Sequence, residues 1–498
     1  MGISGASCRS IASIRVEASG GLANLATGAP FDKKTTLRFA SITKHLTAAV
    51  ALTAQDEGVI DLHSTFADYI EGTSSAIGGV ELARAMNMAG GVPDILDTAW
   101  LLGSSRSGLI DTDALAQFGK TLPKLNFTPG TEFSYSSAGY ALLEAALNRW
   151  GRQLRNVLRE QFFNPLGLSL NVASDQSEPT PRLTSGYWLS SNGWRLGLFG
   201  APYSGADGLV GSPFDLVRWL QARLANAEPA RDVLSRLSAP RHLAGGRVID
   251  FGFGLTKFRL RDTSLIGAGG QLPGYISQFL LHPGMGCGVL VACNREDGNS
   301  AAIALQLMAE LLSQSLPRAA SDELPEGLFV TEEGPFWLTY NAGQLGFMGA
   351  AGAASLDERA GAVTGSPYLP TRLDATGDAI TGEVGYVPRR FARVSPDARA
   401  NQAWAGCWQD IEHGSLLQIE VRDGEAEIVR GVGANRGRHK LNPIGNGRAL
   451  FQHREGPRTQ PVCLELTSKG TIRLNTHRSR IIEYVRLTGI VGEKSSPD

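Results

Sequence analysis

A serine and a lysine three positions apart, Ser41 and Lys44, open the run RFASITKHLTAAVALTAQDEG, Arg38–Gly58. Leu46, Val50 and Thr53/Ala54 recur there at spacings of three and four, and Gly58 supplies a stop, so the run predicts a helix. Residues three apart share a helix face, which lets the Ser41 hydroxyl meet the Lys44 ammonium. A helix start also offers free N–H groups and a positive dipole end to a developing anion. A serine hydroxyl is a weak nucleophile until its proton is taken, and a desolvated lysine can share that task. The same tetrad suits a plainer role, with Ser41 as an N-cap and Lys44 as a solvated first-turn side chain.

Tyr135 is the next group with chemical potential. It lies in PGTEFSYSSAGYALL, where Pro129-Gly130 mark a turn and Tyr140, Leu143, Leu147 and Trp150 fall at helical spacing. Ser136 or Ser137 can cap that helix. A phenol titrates near ~10 in water and becomes a usable base only beside a cation such as Lys44. A half-buried aromatic beside a turn is the plainer reading.

The elements that must position these groups follow in chain order. Arg9–Ala18 reads as a strand, and Gly79–Met88 as an amphipathic helical stretch leading to the loop GGVPD, Gly90–Asp94. Ser212-Pro213-Phe214-Asp215 has a capping-box shape ahead of Leu216–Leu224. Strands then follow: Phe251–Arg259, Ser264–Tyr275 with GAGGQLPGY, and a hairpin of Ile276–Leu281 and Gly288–Cys293 around Pro283–Gly286. Asn299–Leu316 reads as an apolar helix with Ile303, Leu307 and Leu311 along one stripe, ended by Pro317.

Residues 318–326 are polar and read as a linker. Beyond it only short alternating runs remain. Gly327-Leu328-Phe329 with Trp337-Leu338 is echoed seventy-nine positions on by Gly406-Cys407-Trp408 with Leu416-Leu417. Two small antiparallel β modules, 327–400 and 401–498, would explain the echo.

A chain of 498 residues exceeds one ordinary core. A formal net charge of −1 gives no electrostatic basis for a nucleic-acid or anionic-membrane partner. No apolar run approaches the ~18 residues of a membrane span, and the first twenty residues show no secretory h-region. The five cysteines, without C-x-x-C spacing, argue against disulfides or zinc and fit a reducing compartment, expected to be the cytoplasm. No cofactor or metal is expected.

Four motifs in series, RFASITK, PGTEFSYSSAGYALL, QFFNPLGL at Gln161–Leu168 and GAGGQLPGY, resemble the serine hydrolases of the penicillin-recognising fold. That group holds class C β-lactamases, D-Ala-D-Ala carboxypeptidases and D-aminopeptidases. The resemblance covers the first ~316 residues, and the two β modules behind are similar to those of the three-domain bacterial D-aminopeptidases. It implies an α+β fold: an antiparallel sheet flanked by helices over 1–317, then two small antiparallel β-barrel domains.

The resemblance further implies Ser41 as nucleophile, with Lys44 and Tyr135 sharing proton transfer. The oxyanion would sit between the Ser41 and Gln271 N–H groups, with Ser137, Ala268, Gly269 and Gly270 as substrate-binding positions. Glycines at 269 and 270 would let the substrate backbone approach closely. The basic loop around Asn435 and Arg436 reads on its charge as a solvated hairpin tip, while the resemblance implies that it reaches into the cleft and restricts substrates; both readings stay open. Two positions depart from the pattern: Ser137 stands where Asn is usual, and Ala268 where Lys or His is usual. Between glycines, a larger ring at 268 is expected to find room toward the cleft. The expected activity is release of N-terminal D-residues from small peptides or amides. An esterase of the same fold, or a catalytically impaired peptide-binding relative, remains the alternative, and a homodimer is left open as the assembly.

Overall fold

The computed structural model describes residues 2–6, 15–105, 108–148, 151–357, 361–431 and 436–487. Its first body is built on a six-stranded antiparallel sheet. The order is Thr256–Leu260, Thr263–Leu272, Tyr275–His282, Cys287–Cys293, Gly2–Ala6, Arg15–Ser19. Of the expected strand Arg9–Ala18, residues 15–18 lie in the strand Arg15–Ser19, paired with Gly2–Ala6, and 7–14 lie outside the described residues, as does Trp150.

The strand Cys287–Cys293 is buried at every position because both sheet faces are covered. Val289, Val291 and Cys293 pack with Leu265 and Leu280 against Ala304 and Met308 of the helix Ser300–Leu311. Leu290 and Ala292, pointing the other way, join Phe279 and Leu281 in the main helical core with Leu46 and Trp219. The Ser300–Leu311 helix is shorter than its sequence pattern suggests. Its sheet-facing stripe is Ala304–Met308, because small side chains let the helix lie close to the strands, while Leu311 is left 38% exposed. The capping expectation holds at Ser212, whose side chain accepts from the Asp215 N–H at the head of Pro213–Leu224.

The second body is a nine-stranded antiparallel sheet. Its two edge strands, Ala350–Ala353 and Ser355–Asp357, are separated in sequence by Ala354 alone, so the sheet curls almost shut. The third is a closed eight-stranded barrel from Gly406–Asp410 to Ile482–Arg486, sealed by pairing of Trp408 with Arg486. The sequence echo has a structural cause. Gly327 and Gly406 both take positive φ, +137° and +138°, and a Cβ on either would lie 2.6 Å from a guanidinium nitrogen, of Arg393 and Arg486 respectively. Those guanidinium groups cover the Phe329 and Trp408 rings at 4.9 and 4.4 Å. Each module thus locks its first strand to its last by an arginine laid over a glycine and an aromatic ring. Among the described residues no helix is long and apolar enough to cross a membrane.

Candidate active site

The strand Leu37–Ala40 is buried throughout and delivers the chain to Ser41 through Ala40, at φ +50°. Thr43 fixes this turn: its hydroxyl donates to Ala40 O at 2.6 Å and accepts from the Leu209 N–H at 2.8 Å. The helix Thr43–Asp56 has Ile42 at its N-cap, so the Ser41 hydroxyl is not engaged in capping. Lys44 is 1% exposed. Its Nζ donates to Ser41 Oγ at 2.9 Å, Ser137 Oγ at 3.2 Å and Ala206 O at 3.0 Å. All three ammonium donors are therefore directed, two of them onto hydroxyls that face the cleft.

Tyr135 is buried, with its ring between two cations: Lys44 Nζ lies 5.1 Å from the centroid and the Arg478 guanidinium 5.0 Å. Phe251 and Tyr368 meet the same ring edge-on at 6.2 and 5.6 Å. The structure thus gathers Ser41, Lys44, Tyr135 and Ser137 at one wall of a cleft of about 2200 Å³. Ser137 is fixed by a carboxylate, since its N–H donates to Asp94 Oδ2 at 3.2 Å while Asp94 Oδ1 caps the helix Ile95–Leu101 through the Asp97 N–H. Asp207, beside Lys44, also lines the cleft. Burial pushes its carboxyl up to about 6 despite the pull of Lys44 in the other direction.

The opposite wall is the strand Thr263–Leu272. Gln271 lines the cleft and donates from Nε2 to Glu296 at 2.9 Å. The glycines beside it serve the protein's own packing. A Cβ at Gly270 would fall 1.9 Å from Phe39 O, where the strand crosses the segment carrying Ser41. A Cβ at Gly269 would meet the Gln278 side chain at 2.6 Å and Tyr368 Oη at 3.2 Å. Ala268 is 4% exposed and belongs to the apolar cluster of Tyr135, Phe251 and Phe279. The expected room at 268 is therefore absent: successive side chains alternate across a strand, and this one points into packed apolar surface.

Asn435 lies outside the described residues. Arg436 is exposed and is not among the residues that line the cleft. The basic run beside it is balanced on the barrel wall, with Arg438 2.6 Å from Glu427 and Lys440 2.8 Å from Glu425. Among the described residues, two segments of the closed barrel reach the cleft: 454–460, and 476–480 between its last two strands. His477 O accepts from Ser134 Oγ, Arg478 O from the Asp94 N–H and Asn126 Nδ2, and Ser479 Oγ lies 2.8 Å from Thr98 Oγ1. Sequence reasoning missed Asp94, Asp207, Tyr368 and Arg478. Asp94 sat visibly in a helix-cap position, but Tyr368 and Arg478 arrive from other bodies and carry no local spacing signal.

The SxxK serine, its lysine and a tyrosine face a β-strand across one cleft, within a β-lactamase-like α+β body. The Beta-lactamase family model matches residues 12–313, and the chain belongs to that family. A D-aminopeptidase of Gluconobacter oxydans is 26% identical over 62% of this chain and 59% of its own length, so the match spans less than two thirds of that relative. A D-aminopeptidase of Cereibacter sphaeroides is 24% identical over 94% of this chain and 92% of its own. The fold is shared with an octameric penicillin-binding protein homologue from Pyrococcus abyssi, at TM-score 0.53 and 16% identity over 97% of this chain and 96% of that one.

Proposed function

We propose that this chain is a serine hydrolase acting through an acyl-enzyme, of D-aminopeptidase-like type, that cleaves small amides or peptides bearing an N-terminal D-residue. The observation that carries the reading is the buried Lys44 ammonium, held at once by Ser41 Oγ and Ser137 Oγ. The Ser41 oxygen attacks the amide carbonyl as its proton passes into the Lys44–Tyr135 pair. The Ser41 and Gln271 N–H groups receive the oxyanion, and the pair returns the proton to the departing nitrogen as the C–N bond breaks. Water then repeats the sequence on the ester and frees Ser41. The carboxylate of Asp94 at the cleft wall suits the free α-ammonium of an N-terminal residue. The free cysteines among the described residues, three of them buried, fit a reducing, cytoplasmic setting.

Fluorophosphonate labelling followed by intact-mass spectrometry tests the nucleophile, and D-alaninamide against its L-isomer tests the substrate class. Labelling that persists in Ser41→Ala, or equal turnover of both isomers, would overturn the reading. The buried apolar surroundings of Ala268 favour one variant of it. With no charged donor there, activated esters, whose leaving groups need little help, are expected to react faster than amides.

A further inference from the structure

The strand Thr263–Leu272 has an unpaired edge at the cleft. Its neighbour Thr256–Leu260 reaches only as far as the pair Thr256 with Gly267. Beyond that point, N–H groups two residues apart face the same way, so Gly269 and Gln271 share this edge. The Gly269 N–H is already occupied: it donates at 2.5 Å to the hydroxyl of Tyr368. Tyr368 comes from the nine-stranded sheet, on the turn between Ala362–Thr364 and Thr371–Thr376. That turn is braced by Leu369 N–H to Ser366 O, by the Gly365 N–H to Thr371 Oγ1 at 2.6 Å, and by the buried Leu369 side chain. The Tyr368 ring is wedged between Tyr135 at 5.6 Å and Phe258 at 6.1 Å.

We infer that Tyr368 caps the leaving-group side of the cleft and restricts the site to substrates with a small leaving group, primary amides and short esters, in preference to peptides. The inference rests on the hydrolase reading above. A nitrogen protonated from Tyr135 must depart on the Tyr135 side, and the atoms beyond it run into the Tyr368 ring. A peptide leaving group laid along the strand would also need the Gly269 N–H that Tyr368 holds. In the other direction the strand leads to Pro273, against which Gly197 packs, so that a Cβ there would lie 2.2 Å from Pro273 O. Leu196 and Leu198 on either side are 55% and 52% exposed and line the cleft. The acyl side is thus open and apolar while the leaving-group side is closed. Apolar acyl groups on a small leaving group are the matching class.

The test compares kcat/KM for D-leucinamide and D-leucyl-glycine in wild type, Tyr368→Phe and Tyr368→Ala. Wild type should favour the amide. Tyr368→Ala should raise the peptide-to-amide ratio about tenfold, the worth of one recovered hydrogen bond. Tyr368→Phe frees the Gly269 N–H but keeps the ring across the path to it, so a peptide leaving group still cannot reach that donor and the ratio should stay near wild type. A ratio unchanged in Tyr368→Ala, with circular dichroism and Tm preserved, would overturn the inference, as would a wild type that prefers the peptide. A second arm needs no turnover: calorimetry of D-leucyl-glycyl-glycine with Ser41→Ala should show binding about tenfold tighter once Tyr368→Ala is added, and equal Kd values would overturn the cap. If wild type turns over neither substrate and Ser41 takes no fluorophosphonate, the hydrolase reading fails and the binding arm alone decides Tyr368.

Discussion

Arg480 Nη1 lies 2.9 Å from Glu132 Oε1, an ion pair between the closed barrel and the segment that carries Tyr135 three residues on. Arg389 of the nine-stranded sheet meets the same carboxylate at 3.1 Å, and all three side chains are less than 10% exposed. One buried glutamate therefore ties both β bodies to the tyrosine wall of the cleft. Phe133 N–H to Gly385 O and Ser134 Oγ to His477 O extend the same seam.

Glu132→Gln should leave two buried guanidinium groups without a counter-charge. Removing one member of a buried ion pair costs about 3–5 kcal/mol, so a fall of that order is expected in denaturant unfolding. Because Tyr135 is held through this seam, kcat should fall further than the loss of folded protein accounts for. Wild-type stability in the variant would show the triad to be dispensable.

Lys44→Met keeps the apolar stem and removes the ammonium that three oxygens share. Acylation of Ser41 by a fluorophosphonate or ester should slow by about 10²–10⁴-fold. Stopped-flow or timed mass spectrometry reads this directly, and a rate within a few-fold of wild type would remove Lys44 from the mechanism.

Ala268→His follows from burial. Forcing a ring into this packed strand face should destabilise the protein by about 1–3 kcal/mol, with no gain in amide turnover. Thermal melts and D-alaninamide assays check both halves.

The pH dependence of stability has a named source in Glu144. Burial pushes its carboxyl up to about 6, against the lowering effect of the Gly205 N–H it accepts. The unfolded chain releases that proton near pH ~4.3, whereas the folded chain holds it to about 6. The unfolded state binds fewer protons between these values, so stability declines as pH rises through that window and levels off above it. Glu144→Gln should remove about 2 kcal/mol of this decline, measured by denaturant unfolding at pH 4 and pH 7. An identical decline in the variant would assign it elsewhere, Asp207 being the other buried carboxyl raised to about 6.

The gathering of Ser41, Lys44 and Ser137 at one wall of the cleft was legible because it is local. Ser41 and Lys44 are one helical turn apart, and the Tyr135–Ser137 run adjoins its own helix. The α+β body and the paired β modules were legible for a similar reason: strand alternation, the Ser212 cap and the Gly327/Gly406 echo are short-range signals. What the sequence hid is contributed across bodies. Tyr368 and Arg478 owe their places at the cleft to how two β modules dock, and nothing in their own flanks encodes that. The basic run beside Arg436 shows the converse limit of sequence. Its charge looked unpaired in sequence, but cross-strand pairing sets Arg438 and Lys440 against Glu427 and Glu425.

The reach of 476–480 into the cleft also orders events in time. A ribosome delivers Ser41 early, yet the backbone carbonyl that holds the Asp94 N–H and the guanidinium that covers Tyr135 both belong to Arg478. At about 5–20 residues per second, the interval between the two is on the order of 20–90 s. For that interval the nascent chain carries Ser41 without a finished cleft. Synthesis itself thus acts as a delay line: Ser41 is made first, and its surroundings in the cleft are completed only when the closing strands of the barrel emerge.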